Sequence, residues 1–568
     1  MNAPLAIKSV SKTDAPAAGK IAGREWVGVL VLLALLFGFD LLTCNVSPTV
    51  WCDDISFTEP AINYLMHGTY TSTVWQFQPL NTFPAVNCPL YSQSIIGWLT
   101  LFGTNLLAVR SFNYFLMGVA CLLFWWLLHR FNLVQSARWR LALVTAFHLG
   151  YGISHSYRCS RPDTLGLCLT LGLGWWFTVQ SARWRNGGLL VLSGLLPWVS
   201  LTSGLYAGLA CFCAMLVLGR PKFLQGMVVW GGLLLGVLSV VWFLSAQGAL
   251  QNFLTGASYA VGEQYVHPGK LPVLARLGQV IKTTIPAYFW DYSSVMLVLG
   301  SLGLMILCRR ELKARANWRV ITCSALIFIA TPLLFNVTGH YAFYYSYMIF
   351  IPALIFFAAT AFPSLKPQLP PVPRVLPAMV ASATILATVL VGLPMRMAAT
   401  LSLTKVAPQA EIQRRVDAWV TTNDVVYTDD TAFFEVKQRA KVVYTRWSFM
   451  EFVITHIPGR RLTQADKDSV NKLVIRADQA EFFTHTFGGQ WQAVTEPFGD
   501  STRWERVEHI PLIQAKVKRY LEQPQTYRYH LQIFQRLTPA TAEAKDKAPG
   551  IQPADQIQGA GGKGAIQF

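Results

Sequence analysis

A succession of long apolar runs limits what this chain can fold into. A helix that crosses a bilayer needs about 20 apolar residues, within a range of about 17–25. Only 13% of the 568 residues are charged, whereas soluble domains carry about 25%. We count about eleven candidate spans, centred on residues 26–43, 106–128, 139–153, 164–180, 188–201, 204–219, 224–245, 287–307, 319–335, 344–361 and 375–394. The pattern predicts a polytopic, all-α membrane protein.

The basic residues are sorted between the gaps that separate these runs. They cluster after the second, fourth, sixth, eighth and tenth runs, whereas residues 44–109 contain neither Lys nor Arg. Basic gaps face the cytoplasm. The sorting therefore predicts a cytoplasmic segment 1–25, two long periplasmic loops at 44–105 and 247–286, and a periplasmic C-terminus in a bacterial inner membrane. The net charge of +18 reflects this topology, and nucleic acid is not an expected partner because no basic module with interleaved aromatic residues is present.

The composition changes after the last run. We assign residues 26–394 to the transmembrane module, 395–538 to a small soluble α/β domain and 539–568 to a disordered tail, because the tail lacks the apolar residues of a core. Strands are predicted at Asn423–Asp429, Val470–Ile475 and Tyr527–Phe534, and a helix at Ile513–Leu521. The fifth and sixth runs are short, which fits two short or tilted helices or a re-entrant hairpin.

Acidic residues at the membrane edge are the candidates for chemistry. The phosphate-binding loop, the HExxH zinc motif and the GxSxG motif are all missing from the sequence. Asp53 and Asp54 follow the first run, and Glu59 comes six residues after Asp53. Ionisable groups near a membrane usually mark function, and adjacent carboxylates raise one pKa toward that of a usable base. The alternative is that the acidic pair only caps a helix.

Several short motifs resemble those of the GT-C glycosyltransferases, in particular the branch of protein O-mannosyltransferases and lipid A aminoarabinose transferases. The matching segments are Asp53-Asp54-Ile55-Ser56-Phe57, Ala61, His67-Gly68, Pro89-Leu90-Tyr91, Phe102-Gly103, Arg110, Arg158-Cys159-Ser160-Arg161-Pro162-Asp163, His340-Tyr341 and Tyr344-Tyr345. The chain departs from the family in three places. Asp54 replaces a Glu, Cys88 replaces a Lys, and Thr202-Ser203-Gly204 replaces a Lys-Gly.

The resemblance implies an enzyme that transfers a sugar from a polyprenyl-phosphate-linked donor to a glycan, lipid or protein hydroxyl on the periplasmic face, with inversion. Asp53 would be the general base, with Asp54 and Asp163 as further catalytic acids. The donor phosphate or lipid would meet Arg158, Arg161, His340, Tyr341 and Tyr345, since arginine offers bidentate geometry to phosphate. Glu59, Tyr265 and His267 are expected to contact substrate. The residues leave open whether a divalent metal also binds.

Two other functions fit a polytopic chain. A transporter or lipid flippase would place charges near the middle of its spans and show internal repeats, and neither pattern is found. A non-catalytic partner in cell-surface polysaccharide assembly remains compatible with the motifs. Cys52 and Cys88 both lie in the first long loop, where an oxidising compartment would allow a disulfide between them. The alternative is that both are buried, unreactive thiols.

Overall fold

The computed structural model describes residues 21–46, 48, 50, 52–75, 78–85, 89–255, 273–309, 312, 317–338, 343–362, 375–403, 409–449, 462–502 and 528–537. Helices dominate this part of the chain. Those of the membrane module are α1 Gly23–Leu42, α2 Cys52–His67, α3 Pro89–Phe102, α4 Leu106–Arg130, α5 Ala137–Leu149, α6 Tyr151–Arg158, α7 Asp163–Trp176, α8 Ala182–Val199, α9 Leu201–Leu218, α10 Arg220–Ala246, α11 Val273–Ala287, α12 Tyr292–Leu307, α13 Trp318–Thr338, α14 Tyr347–Ala361, α15 Val375–Leu390 and α16 Leu393–Leu403.

The chain is a multi-pass membrane protein. Five of the described helices are long and apolar enough to cross a bilayer alone, and a sixth crossing arises if the two helices bent by 80° around residues 287–292 form one span. Among the described residues, two other predicted spans coincide with shorter apolar helices, in α9 and α14. The predicted number of about eleven spans therefore stays a prediction.

One predicted span is broken in two by close packing at Gly150. The run 139–153 forms α5 and then α6, and Gly150 lies between them. A Cβ on this glycine would lie 2.3 Å from the ring of Phe350, so a larger residue would push α14 away from the break. The break redirects the chain, and the short α6 then leads to the turn that carries Arg161.

The soluble domain is a small α/β fold. Its elements are α17 Gln409–Trp419, β1 Val425–Thr428, α18 Phe433–Lys437, β2 Val442–Tyr444, α19 Arg446–Phe449, α20 Gln464–Ser469, β3 Lys472–Arg476, α21 Ala480–Phe487, β4 Trp491–Ala493, β5 Phe498–Thr502 and β6 Arg528–Arg536. The strand order is β2-β1-β3-β6-β4, and β5 also pairs with β6. β1 is parallel to β2 and β3, whereas β6 is antiparallel to its neighbours.

The first long loop and the soluble domain share an apolar core. One buried cluster includes Ile55 on α2, Val74 in the loop and Phe433 on α18, and it continues into the helix bundle. The Oγ1 atom of Thr73 lies 3.0 Å from the carbonyl oxygen of Val443 on β2. Because β2 is at the end of the strand order, this contact covers part of a sheet edge that would otherwise expose unpaired backbone groups.

The charge sorting predicts the membrane orientation, which reporter fusions can test. A reporter fused after Leu393 should be active only in the periplasm, and one fused after Arg310 only in the cytoplasm, because basic gaps are retained inside. Paired alkaline phosphatase and fluorescent-protein fusions at each position give opposite readouts. A cytoplasmic signal after Leu393 would contradict the predicted orientation of the soluble domain.

Candidate active site

Helix α2 carries the acidic residues of the first loop. Asp53 and Asp54 occupy its first turn, where carboxylates stabilise the exposed amide groups of a helix N-terminus. Successive residues on a helix point about 100° apart. The two carboxylates consequently face different neighbours: Asp54 is fully buried, whereas the side chain of Asp53 keeps 17% of its surface exposed.

Asp54 holds the first loop against the helix bundle. Its carboxylate accepts from Nε of Arg110 at 3.2 Å and from Nη2 at 2.7 Å. Nη1 of Arg110 donates to the carbonyls of Cys44 and Pro48 at 2.7 and 2.8 Å. Asp54 also accepts from the backbone N–H of Ser160 at 2.8 Å. Both oxygens of Asp54 are therefore engaged in a buried clamp that joins α1, α2, α4 and the turn after α6.

Arg161 joins the other two predicted acids. Its Nε donates to Asp163 at 2.6 Å, and its Nη1 donates to Asp53. The second oxygen of Asp163 accepts from the hydroxyl of Tyr347 at 3.5 Å. Among the hydrogen bonds of the described residues, none uses Nη2 of Arg161. Asp53, Arg161 and Asp163 thus form a row of alternating charge, and one guanidinium nitrogen remains available for a further acceptor.

The turn that carries Arg161 is fixed through its backbone. The side-chain amide of Asn113 on α4 donates to the carbonyls of Cys159 and Arg161 at 2.7 and 2.9 Å. The backbone N–H of Ser160 also donates to Asp54. These hydrogen bonds satisfy the polar backbone groups of a buried turn, which would otherwise be shielded from water and left without partners. The position of Arg161 is therefore set by α2 and α4 rather than by the turn alone.

Aromatic rings surround the guanidinium of Arg161. Its central carbon lies 4.0 Å from the ring centroid of Tyr344, 5.8 Å from that of Tyr345 and 5.6 Å from that of Phe57. Cation–π contacts of this kind strengthen when water is excluded. The predicted Tyr345 therefore lies in the same group as Asp53, Arg161 and Asp163, and Tyr344 joins it.

The surroundings of Asp53 alter its acidity. Burial raises the pKa of the Asp53 carboxyl, and the positive charge of Arg161 and of a protonated His155 opposes that rise. Oδ1 of Asp53 has only one contact among the described residues, a weak 3.7 Å interaction from the thiol of Cys52. Asp53 therefore keeps one carboxylate oxygen without a strong donor among the described residues, and it is the most exposed of the three predicted acids.

Arg158 lies apart from this group. Its Nη1 donates to Asp40 at 2.6 Å, and its Nη2 donates to the carbonyl of Thr43 at 2.6 Å. Asp40 also contacts Nε2 of His148 at 2.9 Å and the hydroxyl of Tyr157 at 3.2 Å. The sequence-based prediction placed Arg158 at the donor phosphate, but its guanidinium is directed into a buried polar network that connects α1, α5 and α6.

Glu59 connects the loop to the soluble domain. This buried carboxylate accepts from the hydroxyls of Ser72 and Thr73, both at 2.6 Å, and from the Thr73 amide at 3.1 Å. Lys437 on α18 lies 3.6 Å away, and burial lowers the pKa of its ammonium group. Glu59, predicted to bind substrate, therefore occupies the junction between the first loop and the soluble domain.

Some predicted residues lie outside the described part of the chain: Tyr265, His267, His340, Tyr341 and Cys88. Their roles, and the pairing of Cys52 with Cys88, stay predictions. Within the described ranges, no three His, Cys, Asp or Glu side chains converge in a way that could hold a metal ion. Around Asp53 and Asp163, the cationic partner is the guanidinium of Arg161.

Two crystal structures resemble this chain over most of its length. ArnT from Cupriavidus metallidurans bound to undecaprenyl phosphate matches with a TM-score of 0.53 at 11% sequence identity, covering 90% of this chain and 98% of ArnT. The apo form of the same protein matches with a TM-score of 0.50 at 14% identity, covering 84% and 97%. No protein-family model and no curated protein sequence matches the chain.

The structural match with ArnT covers 84–90% of this chain and so includes both the helix bundle and the soluble domain. This chain has the GT-C fold. In this chain the acidic helix α2 is the first element of the long loop after α1, as the family resemblance of the sequence implies. Identity of 11–14% establishes the fold alone.

Several residues of the site were missed when the sequence was considered alone. Asn113 and Tyr347 sit inside apolar runs, and neither belongs to a motif. Asp40 could have been found, because a carboxylate near the end of an apolar run is costly unless it is paired. The sequence does not indicate that Lys437 pairs with Glu59, because nothing in the pattern connects one lysine of the soluble domain with an acid 378 positions earlier.

We predict that Arg110→Met destabilises this GT-C protein. Removal of the guanidinium leaves Asp54 charged and buried, which costs about 3–5 kcal/mol when one member of a buried pair is lost. Thermal denaturation in detergent should show a large drop in melting temperature, and the double variant Arg110→Met/Asp54→Asn should recover part of it. The exposed Arg138 provides the matched control. A melting temperature as high as that of Arg138→Met would show that the clamp does not stabilise the fold.

Proposed function

We propose that the protein is a membrane glycosyltransferase that transfers a sugar from a polyprenyl-phosphate-linked donor to an acceptor hydroxyl, with Asp53 as the general base. The observation that carries the proposal is the row formed by Asp53, Arg161 and Asp163 on the GT-C fold. This row combines an open carboxylate oxygen with a fixed guanidinium. The carboxylate can accept the proton of the acceptor hydroxyl, and the guanidinium can bind the leaving phosphate.

The choice of Asp53 over the other acids follows from their partners. Both oxygens of Asp54 are committed to Arg110 and the Ser160 amide. Asp163 uses one oxygen for Arg161, its other oxygen lies 3.5 Å from the Tyr347 hydroxyl, and its side chain is 2% exposed against 17% for Asp53. Oδ1 of Asp53 remains open, and a raised pKa brings a carboxylate closer to the acidity at which general-base catalysis is most efficient.

The proposed reaction is a single displacement. The acceptor oxygen attacks the anomeric carbon while its proton moves to Oδ1 of Asp53. The bond between the anomeric carbon and the phosphate oxygen breaks at the same time, so the electron pair and the negative charge leave with polyprenyl phosphate. Attack from the side opposite the phosphate inverts the anomeric centre. Positive charge that develops on the sugar ring is stabilised by the neighbouring carboxylates.

Arg161 is the proposed partner of the leaving phosphate. Its Nη2 has no acceptor among the described residues, and its other two nitrogens are held by Asp53 and Asp163. A guanidinium fixed in this way needs little reorganisation when charge develops on the leaving group. The donors therefore expected as partners are lipid-phosphate sugars, and the acceptor is a glycan, lipid or protein hydroxyl.

Asp53→Asn should nearly abolish transfer. Loss of a general base typically lowers the rate about 10²–10⁴-fold, while an amide keeps the volume of the carboxylate. The measurement is release of polyprenyl phosphate from a panel of lipid-phosphate sugars, followed by mass spectrometry. Asp54→Asn should mainly reduce thermal stability, and the exposed Asp478→Asn serves as the control.

A near-normal rate for Asp53→Asn together with an inactive Asp163→Asn would move the base to Asp163. If the wild-type protein released polyprenyl phosphate from no member of the panel, and purified membranes supplied no acceptor that restored the reaction, the enzymatic proposal would be wrong.

Arg161→Gln should change both donor binding and the pH dependence of transfer. Because the base acts when deprotonated, the wild-type rate should fall as the pH drops through the raised pKa of Asp53. Arg161 opposes that rise in pKa, so its removal should shift the acidic limb of the pH–rate profile to higher pH. The KM for the donor should also increase about 10–100-fold, as expected for loss of a charge-assisted contact of about 1.5–3 kcal/mol. An unchanged acidic limb would show that Asp53 is not the titrating base.

A further inference from the structure

A second basic site lies at the opposite end of α4 from the candidate active site. Arg110 lies close to the start of this helix, and Arg130 ends it. Twenty residues of α-helix at 1.5 Å per residue separate the two by about 30 Å, which matches the thickness of the hydrocarbon core of a bilayer. The end of α4 at Arg130 therefore lies at the other membrane–water interface.

An open pocket of about 430 Å³ occupies this end of the bundle. It lies between the ends of α4 and α7, and its volume is within the range of small-molecule sites. Its lining includes Trp126, His129, Arg130, Trp175 and Gln180. The two indole rings meet edge to face with their centroids 6.1 Å apart. Tryptophan is enriched where a protein meets lipid headgroups.

The charge of the pocket is positive. Arg130 donates from Nη2 to the carbonyl of Thr178 at 3.4 Å, and Arg185 donates from Nη1 to the carbonyl of Val179 at 3.3 Å. Arg130, His129 and Val179 line the pocket, and Arg185 approaches it through the carbonyl of Val179. Nε of Arg185 has no hydrogen-bond partner among the described residues.

No acid lines the pocket in the described part of the chain. Glu25 lies close enough to His129 to interact with it electrostatically, but its carboxylate is already held by Nη2 of Arg140 at 2.5 Å and by Nε of the same residue at 2.7 Å. Among the described residues, a ligand in the pocket therefore meets cationic side chains and no carboxylate. A choline or ethanolamine headgroup would place its cation against these arginines, whereas a headgroup with net negative charge would not.

We propose that this pocket binds the headgroup of an anionic phospholipid from the leaflet opposite the active site. The phosphate would contact Arg130 and Arg185, and the lipid glycerol would lie against the tryptophan pair. Clusters of basic residues at a membrane interface attract anionic lipids by about 1 kcal/mol for each cation. The site is independent of the sugar-transfer reaction and concerns which lipids stay bound to the protein.

Native mass spectrometry of the full-length protein tests the proposal. The protein in detergent is titrated with phosphatidylglycerol and, separately, with phosphatidylcholine. Phosphatidylglycerol should bind tighter, and each arginine removed in Arg130→Gln and Arg185→Gln should weaken it about fivefold. Arg130→Lys/Arg185→Lys keeps the charge and should retain binding. The control is Arg319→Gln, which removes an exposed arginine next to a partly exposed tryptophan at the start of α13.

Three results would overturn the proposal. Equal affinity for the two lipids would remove the role of net charge. An equal loss in Arg319→Gln would show general attraction to a basic surface rather than a site. Binding of sn-glycerol 3-phosphate as tight as that of phosphatidylglycerol would show that the site takes soluble anions rather than a lipid.

Discussion

The pairing of buried arginines with carboxylates is the constraint on which the rest of the site depends. An isolated charge in a low-dielectric interior costs several kcal/mol, and one left without its partner destabilises the fold. Arg110 pairs with Asp54, and Arg161 pairs with Asp53 and Asp163. These pairs connect α2, α4 and α7, elements that are far apart in the sequence. The pairs with Asp53 and Asp54 can form only if the first loop folds onto the bundle, so the positions of the proposed catalytic groups and the packing of the loop are set together.

Sequence patterns predicted the helices and the elements that bring the acids to the membrane edge. Apolar runs located α1, α4 and α10 closely, because a span needs a long stretch without charge. Alternating apolar residues predicted strands at β1, β3 and β6, each within a few residues of its observed bounds. The grouping of Asp53, Arg161 and Asp163 followed only from the family resemblance. Spacing along the chain does not report distance between helices.

The features that were missed depend on contacts between distant segments. β2 and β4 have three residues each, too few for a periodic signal, and they form because neighbouring strands supply hydrogen-bond partners. Arg158 and Arg161 are three residues apart and look equivalent in sequence, but α6 ends at Arg158. The change of backbone direction there sends one guanidinium to Asp40 and the other to Asp53. The motif therefore located the segment that contacts the acids of α2, but it did not distinguish the contacts of its two arginines.

The soluble domain is bound to the same helix that carries the proposed base. Asp53 and Glu59 both lie on α2, six residues or about 9 Å apart along its axis. Glu59 contacts Lys437 and the 72–73 segment, and Thr73 contacts the edge strand of the sheet. A shift of the soluble domain would therefore act on α2 at one end, while Arg161 holds it at the other. Arg161 is fixed by α4 through Asn113. Asp53 therefore stays beside the guanidinium only when both the soluble domain and the helix bundle hold α2 in place. The soluble domain thus has a structural part in the site although none of its described residues contacts Asp53.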